Sequence, residues 1–425
     1  RLVSAGPSRA RQRACGPRVA WCKGDSAWAA TPGPKVRLKG PAVWFVLFWL
    51  WMGVCSWLSP HRDLSMEFLQ KFSKIAVAMI LITGLVRTRA QFKSLLLVMA
   101  WCTGFYGIKL GLFLFTRGST HHGGPMGLDN NDTSLFISVG LPLLFFLAPQ
   151  IQSQWGRRMT YVAAFMSIPA IVVGGSRGGM LALTAAWGLT LWRKVGIVKA
   201  AAFGVLGLML VLPIIPSTTW QRYETLDTYE EDASAQGRLW AWETATHMAN
   251  ARPWTGFGVG QKPFLLEYDR YKTRVGDVPH VAHSVWFTTL AGMGYAGLFL
   301  YVGMMVSALR RTREVMRLAK QFPGKTGTWV RQYGEMLFIA LATFCVGATF
   351  LSQMGFEYIY GLILLTVPLL EIAERELASG HEPEDGKELL SGLPEETRQR
   401  IRRIGDGQSS RGRRRKSLLP GRGKS

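Results

Sequence analysis

The chain has 425 residues, of which 48% are hydrophobic, 12% are aromatic and 18% are charged. A net charge of +23 would indicate nucleic-acid binding in a soluble protein, but here the basic residues lie between long apolar segments. Composition therefore excludes an ordinary soluble nucleic-acid-binding protein, and it favours an integral membrane protein without a nucleic-acid partner.

The first 40 residues differ from the rest of the chain. They lack an initiator Met and mix Arg, Gly, Ala, Pro, Cys and Trp without a helical or strand period. No signal peptide is evident, since the first apolar run has the full length of a membrane span. We expect residues 1–40 to be a basic leader from a misassigned or frame-shifted start, with further N-terminal helices absent from this sequence.

Residues 41–372 contain repeated apolar runs, each close to the ~20 residues that cross a bilayer as a helix. These runs lie at 42–58, 68–86, 94–116, 133–149, 159–175, 178–192, 197–215, 284–308, 335–352 and 356–372. The sequence therefore predicts an all-α integral membrane protein. Its architecture is a polytopic bundle of about 10 transmembrane helices, with more in a longer chain.

Basic residues are concentrated in alternate gaps between these runs. They occupy the gaps after the second, fourth, sixth and eighth runs: Arg87, Arg89, Lys93, Arg157, Arg158, Arg193, Lys194, Arg310, Arg311, Arg313, Arg317, Lys320, Lys325 and Arg331. The positive-inside rule places those gaps and both termini in the cytoplasm. The polar segment 216–283 is then a large extracytoplasmic loop, and the tail 373–425 is predicted to be disordered, basic and cytoplasmic, within reach of membrane lipids.

The loop 216–283 is the one large polar piece of the apolar region. A helix is predicted over Arg238 to Asn250, because Arg252-Pro253 ends it. The acidic run Glu230-Glu231-Asp232 is typical of a solvated turn. Residues 256–260 read Gly-Phe-Gly-Val-Gly without the flanking strand and helix of a dinucleotide-binding fold, so we interpret them as a flexible turn.

Three outward residues and one buried cation are candidates for binding and catalysis. Arg177 follows Gly174-Gly175-Ser176 at the end of an apolar run, Arg238 follows Gly237, and His283 stands at the mouth of the eighth run. Each also has a structural interpretation, as an interfacial anchor, a solvated helix residue and a helix cap respectively. Lys109 lies inside the third run, where a charge is expensive, unless it snorkels outward as an anchor.

Cysteine and histidine spacing gives no sign of a metal centre or disulfide. Cys55, Cys102 and Cys345 lie within predicted spans, and none falls in the outer loop. The adjacent pair His121-His122 lacks the spacing of metal ligands on a helix. We therefore expect neither a metal nor a cofactor.

Several of these motifs together resemble the O-antigen ligase and polymerase family. They are Gly175-Ser176-Arg177-Gly178-Gly179, Arg238 after a glycine, the Gly-Phe-Gly-Val-Gly turn, His283-Ser284-Val285-Trp286-Phe287 and Gly292-x-Gly294. The resemblance covers about residues 45–372 and is strongest to the exosortase-associated O-glycosylation ligase subgroup. Both tails lie outside it.

The resemblance implies a metal-independent, inverting glycosyltransferase of the bacterial inner membrane, with its active site facing the periplasm. Such enzymes move a glycan from undecaprenyl diphosphate to a glycolipid, polysaccharide or protein acceptor. A polysaccharide polymerase and a protein O-oligosaccharyltransferase of the same family perform the same chemistry on other acceptors.

The chemistry of the candidate residues agrees with that implication. Arginine binds a diphosphate bidentately, and charge that grows on the leaving group is where stabilisation accelerates the reaction most. Imidazole is suited to accept a hydroxyl proton near neutral pH. We therefore predict His283 as the catalytic base and Arg177, Arg238 and Lys109 as substrate-binding residues, with His280 less important.

Two other classes of protein stay open. A transporter of lipid-linked glycans would also place cations along an anionic path, but it would carry charged residues in the middle of several spans, and Lys109 is nearly alone in such a position. An inactive scaffold would explain the helices but not the outward Arg177, Arg238 and His283.

Overall fold

The computed structural model describes residues 36–117, 130–173, 176–211, 230–321, 325–350 and 354–379. Within these ranges the chain is helical and contains no strand. The helices are α1 (Pro41–Trp57), α2 (Arg62–Leu85), α3 (Arg89–Arg117), α4 (Asn130–Leu147), α5 (Gln154–Val173), α6 (Arg177–Val195), α7 (Ile197–Val211), α8 (Glu230–Ala251), α9 (Gln261–Tyr271), α10 (Val285–Ala319), α11 (Lys325–Gly347) and α12 (Glu357–Ser379). The predicted all-α class is confirmed.

Four of the described helices are long and apolar enough to cross a membrane. They are Arg62–Leu85, Arg89–Leu112, Asn131–Gln150 and Val285–Ala319. Every one of the ten predicted runs overlaps a helix, but the total of about 10 transmembrane helices stays a prediction. The leader, the pair His121-His122 and nearly all of the C-terminal tail lie outside the described residues.

The bundle is organised around α4. In its apolar window 89% of the residues are buried, compared with 22% in the corresponding window of α2. Helices α3, α5, α6 and α11 all pack against α4, whereas α2 borders α1 and α12 at the edge. The first half of α12 is also buried, from Ile359 to Leu370. A helix surrounded by others on all sides is apolar all round, which is why α4 gave a clear hydropathy signal.

Helix α10 is broken at Gly294, and the break determines how the preceding polar segment is attached. Gly294 has φ +67° and ψ −172° inside an otherwise helical run. A Cβ there would lie 2.3 Å from the carbonyl oxygen of Pro253, so both the conformation and the space require glycine. The break separates a short N-terminal half-helix, residues 285–293, from the longer remainder of α10.

The backbone groups released by this break are satisfied by residues 252–260, which we call the strap. Phe257 N donates to Ala291 O at 3.0 Å and Gly258 N donates to Gly292 O at 3.0 Å. Tyr295 N donates in turn to Pro253 O at 2.8 Å. Irregular backbone at this depth is tolerated only when its polar groups are paired, so the strap and the break stabilise each other.

The strap corrects the interpretation of the Gly-Phe-Gly-Val-Gly sequence as a flexible turn. Residues 256–259 are buried, and Ser59 Oγ donates to Phe257 O at 2.7 Å. Gly256, Gly258 and Gly260 all have positive φ. The glycines therefore allow a fixed, hydrogen-bonded path between α8 and α9 rather than mobility.

The predicted helix 238–250 is confirmed, but it begins earlier than expected. Helix α8 starts at Glu230, so residues 230–232 form its first turn and the interpretation of this acidic run as a solvated turn is wrong. The helix ends at Ala251, just before Arg252-Pro253, as proline requires.

Candidate functional site

His283 stands directly before the N-terminal half-helix of α10. It is half-buried and has φ +44°, a positive value for a residue other than glycine. Such backbone conformations are strained and persist where the surroundings impose them. The next residue, Ser284, is the N-cap of α10, and Val285 N donates to Ala348 O at 2.9 Å. This bond fixes the start of the half-helix against the end of α11.

Helix α8 holds the segment that leads into His283 through two hydrogen bonds. His280 Nε2 donates to Gly237 O at 2.6 Å, and Trp242 Nε1 donates to Ala282 O at 2.8 Å. The Trp242 ring also stacks on Phe287 with centroids 4.9 Å apart and planes inclined by 9°. The start of α8 and the segment 280–287 are therefore clamped together.

This clamp brings two of the predicted site residues to one place. Arg238 lies one residue after Gly237 and one helical turn before Trp242, while His283 follows Ala282 directly. One hydrogen bond of the clamp thus ends on the residue before Arg238, and the other ends on the residue before His283. Both residues are half-buried, and each makes further interactions of its own.

Arg177 is the first residue of α6, at the same end of the bundle. Ser176 caps the helix by accepting from Gly179 N at 3.0 Å, the arrangement expected of an N-cap serine. Five residues later Ala182 lies close to Gly347, the last residue of α11, and Ala348, which follows that helix, accepts from Val285. The backbone of Arg177 is thereby placed near the end of α11 that also fixes the start of α10.

Lys109 has different surroundings. Its side chain is exposed, and its Nζ lies 5.9 Å from the ring centroid of Tyr106, about one turn earlier on α3. No contact within the described part of the chain joins Lys109 to Arg238 or His283. Of the four predicted site residues, the structure therefore brings Arg238 and His283 together, places Arg177 at the same end of the bundle, and leaves Lys109 on an exposed face.

Sequence reasoning missed two features beside the half-helix. The first is the pairing of the strap with the break in α10. The glycine-rich sequences at 256–260 and 292–294 could have indicated it. The second is a cavity of about 310 Å³, within the size range of small-ligand sites. The cavity is lined by Leu64, Glu67, Phe68, Lys71, Val259, Gly260, Gln261, Lys262, Pro263, Thr288, Met354 and Gly355.

The described residues contain no group of three or more His, Cys, Asp or Glu side chains that could hold a metal ion. The Trp242 indole and His280 Nε2 near Arg238 and His283 donate to backbone carbonyls. The guanidinium of Arg238 is the group of this set that suits an anionic ligand.

The fold and this site define a helical membrane protein that gathers an arginine and a histidine at one end of its bundle. Residues 162–302 match the model of the family described as O-antigen ligase. That segment contains Arg177, Arg238 and His283, and the family resemblance predicted from the sequence is confirmed over it. The narrower assignment to the exosortase-associated subgroup stays a prediction.

A solved structure also resembles the chain. It is described as "Structural coordination of polymerization and crosslinking by a peptidoglycan synthase complex". The chain in that structure shares 15% sequence identity with a TM-score of 0.43, and the match covers 79% of this chain and 97% of that one. No curated protein sequence matches this chain.

Proposed function

We propose that the chain is a glycosyltransferase that takes a glycan from undecaprenyl diphosphate and joins it to an acceptor hydroxyl. The reaction takes place at the outer face of the bacterial inner membrane, with the site open to the periplasm. The O-antigen ligase match over residues 162–302 supports a membrane enzyme of this class. The alternating basic gaps support the orientation.

The observation that carries the proposal is the clamp between α8 and the segment before His283. It supports the proposal because the bonds His280–Gly237 and Trp242–Ala282 join the part of α8 that carries Arg238 to the segment that ends at His283. A group that stabilises an anionic leaving group and a group that accepts a proton must act on one substrate pair at the same time. Their fixed proximity is the arrangement that this chemistry requires.

In the proposed reaction, His283 accepts the proton of the acceptor hydroxyl as its oxygen attacks the anomeric carbon. A new glycosidic C–O bond forms, and the C–O bond to the diphosphate breaks with inversion at that carbon. The electron pair of the broken bond stays on undecaprenyl diphosphate, whose charge Arg177 and Arg238 bind. Lys109 contributes a weaker attraction to the donor from the exposed face of α3.

We further propose that transfer needs neither a metal nor another cofactor. Guanidinium groups bind two phosphate oxygens in one plane, which is the task that a divalent cation performs in many enzymes that use diphosphate donors. The acceptor is a glycolipid, a polysaccharide or a protein. A glycolipid acceptor would make the protein a ligase; as the alternatives, a growing polysaccharide would make it a polymerase and a protein acceptor would make it an O-oligosaccharyltransferase, with the same bond exchange.

Purified protein with an undecaprenyl diphosphate-linked glycan tests the proposal. Transfer is expected to continue in excess chelator. Arg177→Lys and Arg238→Lys keep the charge but lose the planar fork, so each should weaken donor binding by about 10-fold or more, as expected for a lost charged hydrogen bond of ~1.5–3 kcal/mol. Activity that disappears with chelator and returns with Mg²⁺ would refute the metal-independent mechanism. Unchanged donor binding in both arginine variants would refute their roles.

A further inference from the structure

Behind Arg238, three side chains form a row of contacts from α9 to the start of α8. The Tyr268 hydroxyl donates to Asp277 Oδ2 at 2.7 Å. His280 Nδ1 lies 2.8 Å from Val278 O and 3.7 Å from Asp277 Oδ1, and the Tyr268 and His280 ring centroids are 5.2 Å apart. His280 Nε2 completes the row by donating to Gly237 O at 2.6 Å.

Burial fixes the direction of the hydrogen bond between Tyr268 and Asp277. Tyr268 is 0% exposed and Asp277 is 6% exposed. Desolvation by burial, followed by the hydrogen bond and charge of Asp277, raises the pKa of Tyr268 well above its usual value, so the phenol remains a neutral donor and the carboxylate an acceptor. The backbone around Asp277 is anchored as well, because Lys272 Nζ donates to Asp277 O at 2.7 Å.

The row ends on the peptide group that leads into Arg238. Gly237 lies inside α8, where its carbonyl is oriented by the helix. The imidazole is a second donor to that oxygen, and it further restrains the peptide plane that Gly237 O shares with the amide nitrogen of Arg238. A Cβ at Gly237 would lie only 3.3 Å from His280 Nε2. The absence of a side chain at Gly237 therefore lets the imidazole approach, which gives the glycine before Arg238 a physical role.

We propose that Asp277 and His280 are positioning residues for Arg238, with Tyr268 orienting Asp277. The inference rests on the proposed function, in which Arg238 binds the donor diphosphate. Small rotations of the peptide plane at Gly237 move a guanidinium several bonds away, and displacements of about 1 Å in a binding group reduce rates by ~10²-fold. His280, expected from the sequence to matter little, then influences donor binding without contacting the donor.

Substitutions at position 280 separate positioning from other roles. His280→Phe keeps an aromatic ring but loses the donor to Gly237 O, and it should weaken donor binding about 10-fold, the effect of a hydrogen bond worth ~1.4 kcal/mol. His280→Gln places an amide nitrogen near the position of Nε2 and should restore binding to within ~3-fold, less than the loss of one hydrogen bond. His247→Phe is the matched control, because His247 lies on α8 and is exposed.

A double-mutant comparison shows whether His280 acts through Arg238. In an Arg238→Ala background, His280→Phe should cause no further loss of donor affinity, since there is no guanidinium left to position. An equal loss in both backgrounds would overturn the inference. If His280→Phe does not fold, Asp277→Asn provides the same comparison with nearly unchanged shape.

Hydrogen exchange of the full-length protein distinguishes this inference from the proposed function. His280→Phe should speed amide exchange over residues 237–241, while His247→Phe should leave it unchanged. Unaltered exchange over this segment would overturn the inference. Faster exchange in His280→Phe, combined with donor affinity that survives even Arg238→Ala, would support the positioning contact and refute the proposed role of Arg238.

Discussion

The polar segment 230–284 and the apolar bundle are stabilised in different ways. In the bundle, helices such as α4 are held by buried apolar side chains on all sides. The polar segment has a smaller apolar cluster, formed by Ala241, Ala245, Met248, Phe257, Phe264, Tyr268, Ala282 and Ala291. Its loop backbone, in the strap and residues 280–284, is in addition fixed by single hydrogen bonds that involve backbone carbonyls. Packing distributed over many contacts tolerates the loss of one contact, whereas a segment fixed by a few directional bonds does not. The site therefore lies in the part of the molecule whose backbone geometry depends on individual side chains.

The comparison predicts its largest functional effect at His283. His283→Ala removes the proposed base, so transfer should fall by roughly 10²–10⁴-fold, while donor affinity and the thermal unfolding of the bundle stay unchanged. Transfer kinetics and donor binding on the same preparation provide the measurement. Near-normal transfer in this variant would contradict the assigned role.

Gly294→Ala should affect both regions at once. The new Cβ would lie 2.3 Å from Pro253 O, and the alanine would have to adopt φ +67°. We therefore expect a loss of about 1–3 kcal/mol in unfolding free energy. Because the strap is displaced, transfer should fall as well. Gly53→Ala in α1 is the control, since no atom lies within 4 Å of a Cβ there. Equal stability of the two variants would argue against coupling between the strap and the break.

Trp242→Phe tests one bond of the clamp alone. Phenylalanine keeps the stacking on Phe287 but loses the donor to Ala282 O, a bond expected to contribute ~0.5–1.5 kcal/mol. Transfer should therefore fall by about 2–12-fold with little change in unfolding temperature. Trp155→Phe is the control, because Trp155 is 71% exposed. A larger loss of stability than of transfer would show that Trp242 serves the fold and not the site.

Lys109→Met should give the smallest effect. An exposed charge contributes about 0–1 kcal/mol to an ionic contact, so donor binding should weaken by no more than ~5-fold. Titrations of the wild type and the variant with donor, at low and at high salt, measure this weakening of donor binding. A loss as large as that of Arg238→Lys would mean that the donor contacts α3 directly, and it would extend the site along that helix.

Sequence predicted the helices well because each apolar run is a local signal. The start of α8 and the strap were missed because their structure depends on distant partners. The carbonyls that accept from the strap lie more than 30 residues away at Ala291 and Gly292, and they are available only because α10 breaks at Gly294. The contact between His280 and Gly237 spans 43 residues, and no local pattern indicates it. Arg238 and His283 were found from their chemistry and motif context, not from their proximity.

The most direct test of the central claim asks whether Arg238 lies on the outer side and beside the donor. In a protein whose five cysteines are replaced by serine, Leu239→Cys and Lys320→Cys each introduce one exposed thiol. A membrane-impermeant maleimide should label position 239 only from outside and position 320 only from the cytoplasm, and bound donor should slow labelling at position 239 alone. Labelling of position 239 from the cytoplasm, or labelling unaffected by the donor, would contradict the account.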